Sequence, residues 1–256
     1  MTCNRITLLL LLAAAAAPSV SAGGPGLAVK ARVFEEDMAA RFLLDEQALC
    51  KLRNPKEAGA LPDYEMPDNA YMTGIYTATL SMKYAVTKDP ADREAAVRSM
   101  EALHRLCSVS GKKGVLARAA WPKDRPTMDN GVWRDSPDGV HRWRGDVSTD
   151  QVDGVLFGFF FAHELVADDA QKARIAEDVT AMVDLIVENG LRITDVDGKP
   201  TTWSKYYPEQ VRKREKMNAL LWLQACKVAA HVSGGEKYST LYRKYAVDEE
   251  YARIAV

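Results

Sequence analysis

Apolar residues along this chain recur mostly at the three-to-four-residue spacing of amphipathic helices. The most apolar of these segments are residues 68–87, 148–167 and 211–233. The segments that follow them carry more charge and are residues 90–109, 168–189 and 236–247. This alternation predicts three helical hairpins, each of which pairs an inner apolar helix with an outer charged helix.

The remaining segments predict smaller elements around these hairpins. Residues 30–52 have a rough helical period and predict one more helix, and residues 110–146 read as a long irregular stretch. Residues 191–204 predict a short β-hairpin that turns at Asp197 and Gly198. The predicted fold class is therefore all-α, built from stacked helical hairpins with one short β-hairpin.

The N-terminal segment has the pattern of a signal peptide. Arg5 precedes the apolar residues 6–17, and the small residues Val20, Ser21 and Ala22 form a cleavage site. The apolar run is shorter than the roughly 20 residues that a membrane span needs. We therefore expect residues 1–22 to be removed and the protein to be periplasmic or extracellular, with no membrane span after cleavage.

Overall composition suits one ordinary globular domain over residues 23–256. The chain has 256 residues, is 47% hydrophobic and 27% charged, and has a net charge of −1, which argues against a nucleic-acid partner. Beyond the signal peptide it has Cys50, Cys107 and Cys226 without a C-x-x-C spacing. One pair in a disulfide and three buried free thiols are both compatible with this pattern.

The stretch 112–144 is unusually basic and rich in tryptophan. It has eight basic and four acidic residues, together with Trp121, Trp133 and Trp143. Aromatic rings beside guanidinium groups suit an anionic carbohydrate, with Trp133 and Trp143 stacking on sugar rings. Arginine side chains would bind acidic substituents, and the candidates are Arg134, Arg142 and Arg144. Alternatively, the tryptophans pack this stretch onto the core.

Two aspartates begin the second apolar helix. Asp150 and Asp153 are spaced i, i+3 in the run GDVSTDQVDG, which places their Cβ atoms about 5–6 Å apart. Glycoside hydrolysis needs such a carboxyl pair, one protonated and one ionised. The favourable placement of acids at a helix N-terminus is the alternative explanation. Ser148 and Gln151 fit a capping box, which would begin the helix at this point.

Other patterns predict packing rather than chemistry. Gly154, Gly158 and Ala162 form a small-residue stripe that predicts close approach of a neighbouring helix. His141 and His163 are isolated in the sequence and lack metal-ligand spacing. We therefore expect no metal site and no cofactor.

The alternating helices, the tryptophan-rich loops and the GDVSTDQVDG run at an inner-helix start together resemble the six-hairpin (α/α) toroid proteins. These are carbohydrate-active glycoside hydrolases and polysaccharide lyases, and the likeness covers most of residues 30–247. The resemblance implies that the hairpins form part of a toroid. It also implies an aspartate acting at an inner-helix start, a position that Asp68, Asp150 and Asp153 share. Six hairpins close such a ring and about three are predicted here. The domain is therefore open, closes by association with another chain or, as we expect, is incomplete at its C-terminus.

These observations predict an exported protein that hydrolyses a glycosidic bond in an acidic oligo- or polysaccharide. Asp153 and Asp150 are the catalytic candidates. The substrate-binding candidates are Trp133, Arg134, Trp143, Arg142, Arg144, Trp203, Asp68 and Tyr206. Two alternatives stay open. One is a polysaccharide lyase in which Tyr206, Tyr207 or His141 abstracts a proton, and the other is a non-catalytic sugar-binding or scaffold protein.

Overall fold

A computed structural model describes residues 26–53, 63–213 and 216–256, and the predicted signal peptide of residues 1–22 lies outside these ranges. The described residues are mostly helical. Their helices are α1 (Leu27–Arg41), α2 (Asn69–Thr87), α3 (Pro90–Ser108), α4 (Thr149–Leu165), α5 (Asp169–Glu188), α6 (Pro208–Lys213), α7 (Lys216–Ser233), α8 (Glu236–Arg243) and α9 (Tyr251–Ile254). A π-helical turn, Lys244–Asp248, lies between α8 and α9.

The predicted all-α fold class with its helical hairpins is confirmed. Helix α2 packs against α3, α4 against α5, and α7 against α8. The three apolar helices also contact one another in series, with α4 between α2 and α7, and therefore form an inner layer. Fully buried side chains such as Phe159, Leu103 and Trp222 fill the space between this layer and the outer helices.

Helices α2 and α4 approach until their backbones touch. A Cβ atom added at Gly74 would lie 1.8 Å from the carbonyl oxygen of Gly154, and one added at Gly158 would lie 2.7 Å from the Cα of Gly74. Ala162 is fully buried one turn further along. The prediction that the stripe on α4 serves close helix packing is therefore confirmed, and Gly74 is its counterpart on α2.

The single helix predicted over residues 30–52 is wrong beyond Arg41. Asp45 and Glu46 have φ angles of 48° and 64°, and this left-handed turn reverses the chain between β1 (Leu43–Leu44) and β2 (Gln47–Ala48). Two further strands follow, β3 (Lys51–Leu52) and β4 (Tyr64–Glu65), which pair antiparallel. Phe42 and Leu49, two of the apolar residues that suggested a helical period, contribute instead to a small core with Met66 and Trp121.

The stretch 110–146 is not irregular throughout, because part of it forms an antiparallel sheet. Its strands are β5 (Ala119–Pro122), β6 (Trp133–Asp135) and β7 (His141–Arg144), and β7 lies in the centre. The turn predicted at Gly198 is present, with a φ of 76°. It is closed by one antiparallel bridge, between Thr194 and Pro200, rather than by a ladder.

The cysteines of the described ranges are all free. Cys107 and Cys226 are buried and Cys50 is half-buried, so the alternative of free thiols applies rather than a disulfide between two of them. Among the same residues, none of the helices has both the length and the apolar character that crossing a membrane requires.

Candidate functional site

A cleft of about 490 Å³ opens where the N-terminal ends of α2 and α4 meet the three-stranded sheet of β5, β7 and β6, which we call the central sheet. Its charged and aromatic lining consists of Asp68, Arg118, Arg144, Asp146, Asp150 and Trp203. Four of these, Asp68, Arg144, Asp150 and Trp203, are among the residues that the sequence predicts for the site. The structure therefore brings residues from distant parts of the chain to one surface.

Buried Gln151 holds the two carboxylates at the helix N-termini together. Its Nε2 donates to Asp68 Oδ1 at 3.2 Å and lies 3.5 Å from Asp150 Oδ2. Its Oε1 accepts a hydrogen bond from the backbone N–H of Tyr71 in α2. The predicted capping box is wrong, because Ser148 makes no side-chain cap and Gln151 points toward α2 instead. Gln151 is thus a positioning residue that the sequence did not distinguish from a cap.

Asp153 lies one helical turn after Asp150 in α4. Its side chain is half-buried and forms a hydrogen bond with Gln224 of α7. Burial and the neighbouring negative charge of Asp150 raise the pKa of Asp153 to about 6, and a hydrogen bond with Gln224 opposes the shift. Asp150 is exposed and lines the cleft, whereas Asp153 is half-buried and is not among the lining residues. The two carboxyl groups therefore occupy different environments on one helix face.

Arg118 is the central cation of the cleft and is a site residue that the sequence did not predict. Its Nε donates to the carbonyl oxygen of Asp146 at 2.7 Å, and its Nη1 donates to that of Pro67 at 2.6 Å and lies 3.9 Å from Asp68 Oδ1. Burial lowers the pKa of Arg118, whereas the charge of Asp150 acts in the opposite direction. The sequence showed Arg118 only as one of eight basic residues in a loop, with nothing to select it.

Asp146, also not predicted, has a φ of 56° and shapes the turn before α4. Its Oδ1 accepts a hydrogen bond from the backbone N–H of Thr202 at 2.7 Å, and Thr201 Oγ1 donates to the carbonyl oxygen of Val147 at 2.7 Å. These bonds attach residues 201–203 to the cleft. They place Trp203 at its edge, where the residue is 48% exposed.

The wall of the cleft is organised by the buried carboxylate of Asp129. Its Oδ1 accepts hydrogen bonds from the N–H of Gly131 at 2.8 Å and from Trp133 Nε1 at 3.1 Å. Its Oδ2 accepts from the N–H of Met66 at 2.6 Å and from Arg144 Nη1 at 3.1 Å. The side chain of Arg144 crosses directly over Gly131. A Cβ atom added at Gly131 would lie 2.0 Å from Arg144 Nε. One side chain therefore ties the sheet to the segment before α2.

Two predicted substrate contacts lie inside the protein. Trp143 is 1% exposed and Tyr206 is 0% exposed, so neither ring presents a face to the cleft. Tyr206 Oη donates to the carbonyl oxygen of Thr149 at 2.9 Å at the start of α4. Both side chains therefore support the site from behind. The same burial argues against Tyr206 as the proton-abstracting base of a lyase.

The remaining predicted contacts are engaged with protein groups. Arg134 Nη1 lies 2.9 Å from Asp195 Oδ2, and Arg142 lies over the ring of Trp133 at 5.5 Å. Neither arginine lines the cleft, nor does Trp133. Among the described residues, the arginines that line the cleft are thus Arg118 and Arg144, rather than the three that the sequence suggested.

Comparisons with family models, with curated proteins and with solved structures find no match to this chain. The resemblance to the six-hairpin toroid proteins therefore stays a prediction. The chemistry of the site rests on its own geometry: a cleft lined by arginines and carboxylates, of which that of Asp150 is exposed, one aromatic side chain at its edge and, outside the lining, the carboxyl group of Asp153 with its raised pKa.

Proposed function

We propose that this protein is an exported carbohydrate-active enzyme that hydrolyses a glycosidic bond in an acidic oligo- or polysaccharide. The observation that carries the proposal is the pair of aspartates at the start of α4. One is exposed in the cleft and the other is half-buried with its pKa raised to about 6. Two carboxyl groups whose environments separate their pKa values are the hallmark of paired acid and base roles.

The two aspartates take complementary roles in the proposed reaction. Asp153, with a pKa of about 6, keeps a protonated fraction near neutral pH and donates a proton to the leaving oxygen. Asp150 faces the cleft and acts on the anomeric carbon, either directly or through a water molecule. Because Asp153 does not line the cleft, the proposal requires its side chain to turn toward the cleft when substrate binds.

The cleft lining supplies contacts for a sugar with an acidic substituent. The exposed ring of Trp203 offers a flat apolar surface for stacking on a sugar ring. Arg118 and Arg144 line the cleft and, although both also bond to protein groups, they supply positive charge for a carboxylate or sulfate, and Asp68 accepts hydrogen bonds from hydroxyl groups. Export to the periplasm or the exterior is part of the proposal and rests on the pattern of residues 1–22.

The test is to incubate the protein with a panel of uronic-acid oligosaccharides and to measure hydrolysis by the release of new reducing ends. We expect the wild-type protein to hydrolyse at least one of them and the Asp153→Asn and Asp150→Asn variants to lose at least about 100-fold in kcat, in line with the loss of a general acid or base. Asp169→Asn is the matched control, since Asp169 is an exposed aspartate in the first turn of α5. It should leave turnover unchanged.

Each other outcome rejects the proposal in a distinct way. Absorbance from a new carbon–carbon double bond in the product would identify a lyase. Glycan binding without turnover, lost in Trp203→Ala and kept in Asp150→Asn and Asp153→Asn, would identify a non-catalytic binding protein. A protein that binds no member of the panel would be neither a hydrolase, a lyase nor a binding protein for acidic glycans.

A further inference from the structure

Two histidines and a glutamate converge at the far ends of the inner helices α4 and α7. His163 and Glu164 lie in the last turn of α4, and His231 lies in the last turn of α7. His163 Nδ1 is 2.7 Å from Glu164 Oε1, and His231 Nε2 is 2.8 Å from the same oxygen. One ligand atom from each residue lies within 4.8 Å of the others. His163 is isolated in the sequence, but the fold brings the distant His231 beside it.

We propose that His163, Glu164 and His231 bind a divalent transition-metal cation, for which Zn²⁺ is the probe. Two imidazole nitrogens and one carboxylate oxygen are a donor set that Zn²⁺ takes readily, with a fourth position for water. The hard cations Mg²⁺ and Ca²⁺ prefer oxygen ligands and are not expected to bind. The site lies outside the proposed catalytic cleft and does not depend on its function.

The donors must adjust their spacing to hold a zinc ion, since their ligand atoms lie 2.7, 2.8 and up to 4.8 Å apart. Zinc–ligand bonds of about 2.0–2.1 Å in a tetrahedron place the ligand atoms about 3.4 Å apart. The separations of 2.7 and 2.8 Å from Glu164 to the two histidines must therefore open by roughly half an ångström. The side chains of Glu164 and His231 are 39% and 47% exposed and have room to move, whereas that of His163 is 13% exposed and provides a fixed ligand.

Aromatic rings flank the ligands, and the cluster lies far from the cleft along α4. The ring of Phe160 lies 5.3 Å from that of His231, and the two histidine rings lie 5.8 Å apart. His163 follows Asp153 by ten residues along α4, which corresponds to about 15 Å of helix. A cation at this end would join α4 to α7 without touching the cleft. The expected role is a clamp between two inner helices.

The experiment uses the whole protein after treatment with a chelator. Zn²⁺ binding is measured by titration calorimetry, and its effect on stability is measured by thermal unfolding. We expect one saturable equivalent and a rise in Tm with Zn²⁺, since a ligand that binds the folded state stabilises it. Mg²⁺ and Ca²⁺ should leave the Tm unchanged. The variants Glu164→Gln and His231→Gln should each weaken Zn²⁺ binding at least tenfold, and the exposure of both side chains makes them compatible with folding.

The chain provides a matched control in His141, whose Nδ1 lies 2.7 Å from Asp138 Oδ2. This is also a histidine–carboxylate pair, but among the described residues no third ligand group completes a cluster around it. His141→Gln should therefore keep wild-type affinity. Absence of saturable Zn²⁺ binding would overturn the proposal, and the three residues would then form only a hydrogen-bonded cluster. Equal affinity in His231→Gln and wild type would overturn it too, because the cation would then bind elsewhere.

Discussion

Replacing Asp153 by asparagine should make the folded protein more stable at neutral and alkaline pH. Burial and the charge of Asp150 raise the pKa of Asp153 from 3.8 to about 6 in the folded state. The folded protein therefore binds this proton more tightly than the unfolded chain does. The resulting stability is present below pH 3.8 and is lost as the pH rises through about 6. Asparagine never ionises, so it avoids this loss.

The size of the effect follows from the shift in pKa. A rise from 3.8 to about 6 corresponds to about 3 kcal/mol in the free energy of unfolding once the group is fully ionised. Asp153 is only half-buried, and screening by solvent reduces the expected gain to about 1–2 kcal/mol. Near pH 4 most of the gain should be absent, because the folded wild-type protein is then protonated at Asp153 and the unfolded chain has only begun to ionise.

The assay is urea unfolding of wild type and Asp153→Asn at about pH 4, 6 and 8. We expect the difference in unfolding free energy to grow with pH in favour of the variant. Asp169→Asn is the control, and it should lower the free energy of unfolding. The charged aspartate in the first turn of α5 stabilises the helix by about 0.3–1 kcal/mol, and the variant loses this contribution. An Asp153→Asn variant that is no more stable than wild type at pH 8 would refute the argument from burial and charge.

The contacts around the site lead to three more expected outcomes. Gly74→Ala should lower the free energy of unfolding by about 3 kcal/mol or more, because its Cβ would lie 1.8 Å from the carbonyl oxygen of Gly154; an unchanged urea midpoint would contradict this packing. Gln151→Leu should cost about 1–3 kcal/mol by leaving the Tyr71 N–H unpaired, and thermal unfolding measures the loss. Trp203→Ala should raise KM more than it lowers kcat on an active oligosaccharide, and the reverse pattern would exclude a stacking role.

The helical hairpins were predictable because their signals are local. The apolar period from Asn69 to Thr87, Pro90 at the start of α3 and Gly190 after α5 each define an element within a few residues. The small residues Gly154 and Gly158 also indicated a close helix contact. In each case the information lies within one helix or at its ends, where spacing and residue type determine the structure.

The features that depend on distant partners could not be predicted in the same way. The central sheet pairs Ala120 with Trp143 through strands of three or four residues, which are too short to show an alternating pattern. Gln151 looks like a capping residue until α2 is placed beside it. His163 looks isolated until α7 brings His231 within reach. For such residues the sequence shows the chemical group but not its partner.

The backbone contact at Gly74 limits how the helix ends that carry Asp68 and Asp150 can be spaced. An interface made of side chains relaxes when those side chains change rotamer, whereas two backbones in direct contact have no such freedom. We therefore expect the N-terminal ends of α2 and α4 to shift together, so that the path of the main chain determines the separation of the Asp68 and Asp150 backbones. A single methyl group added at Gly74 would change that separation.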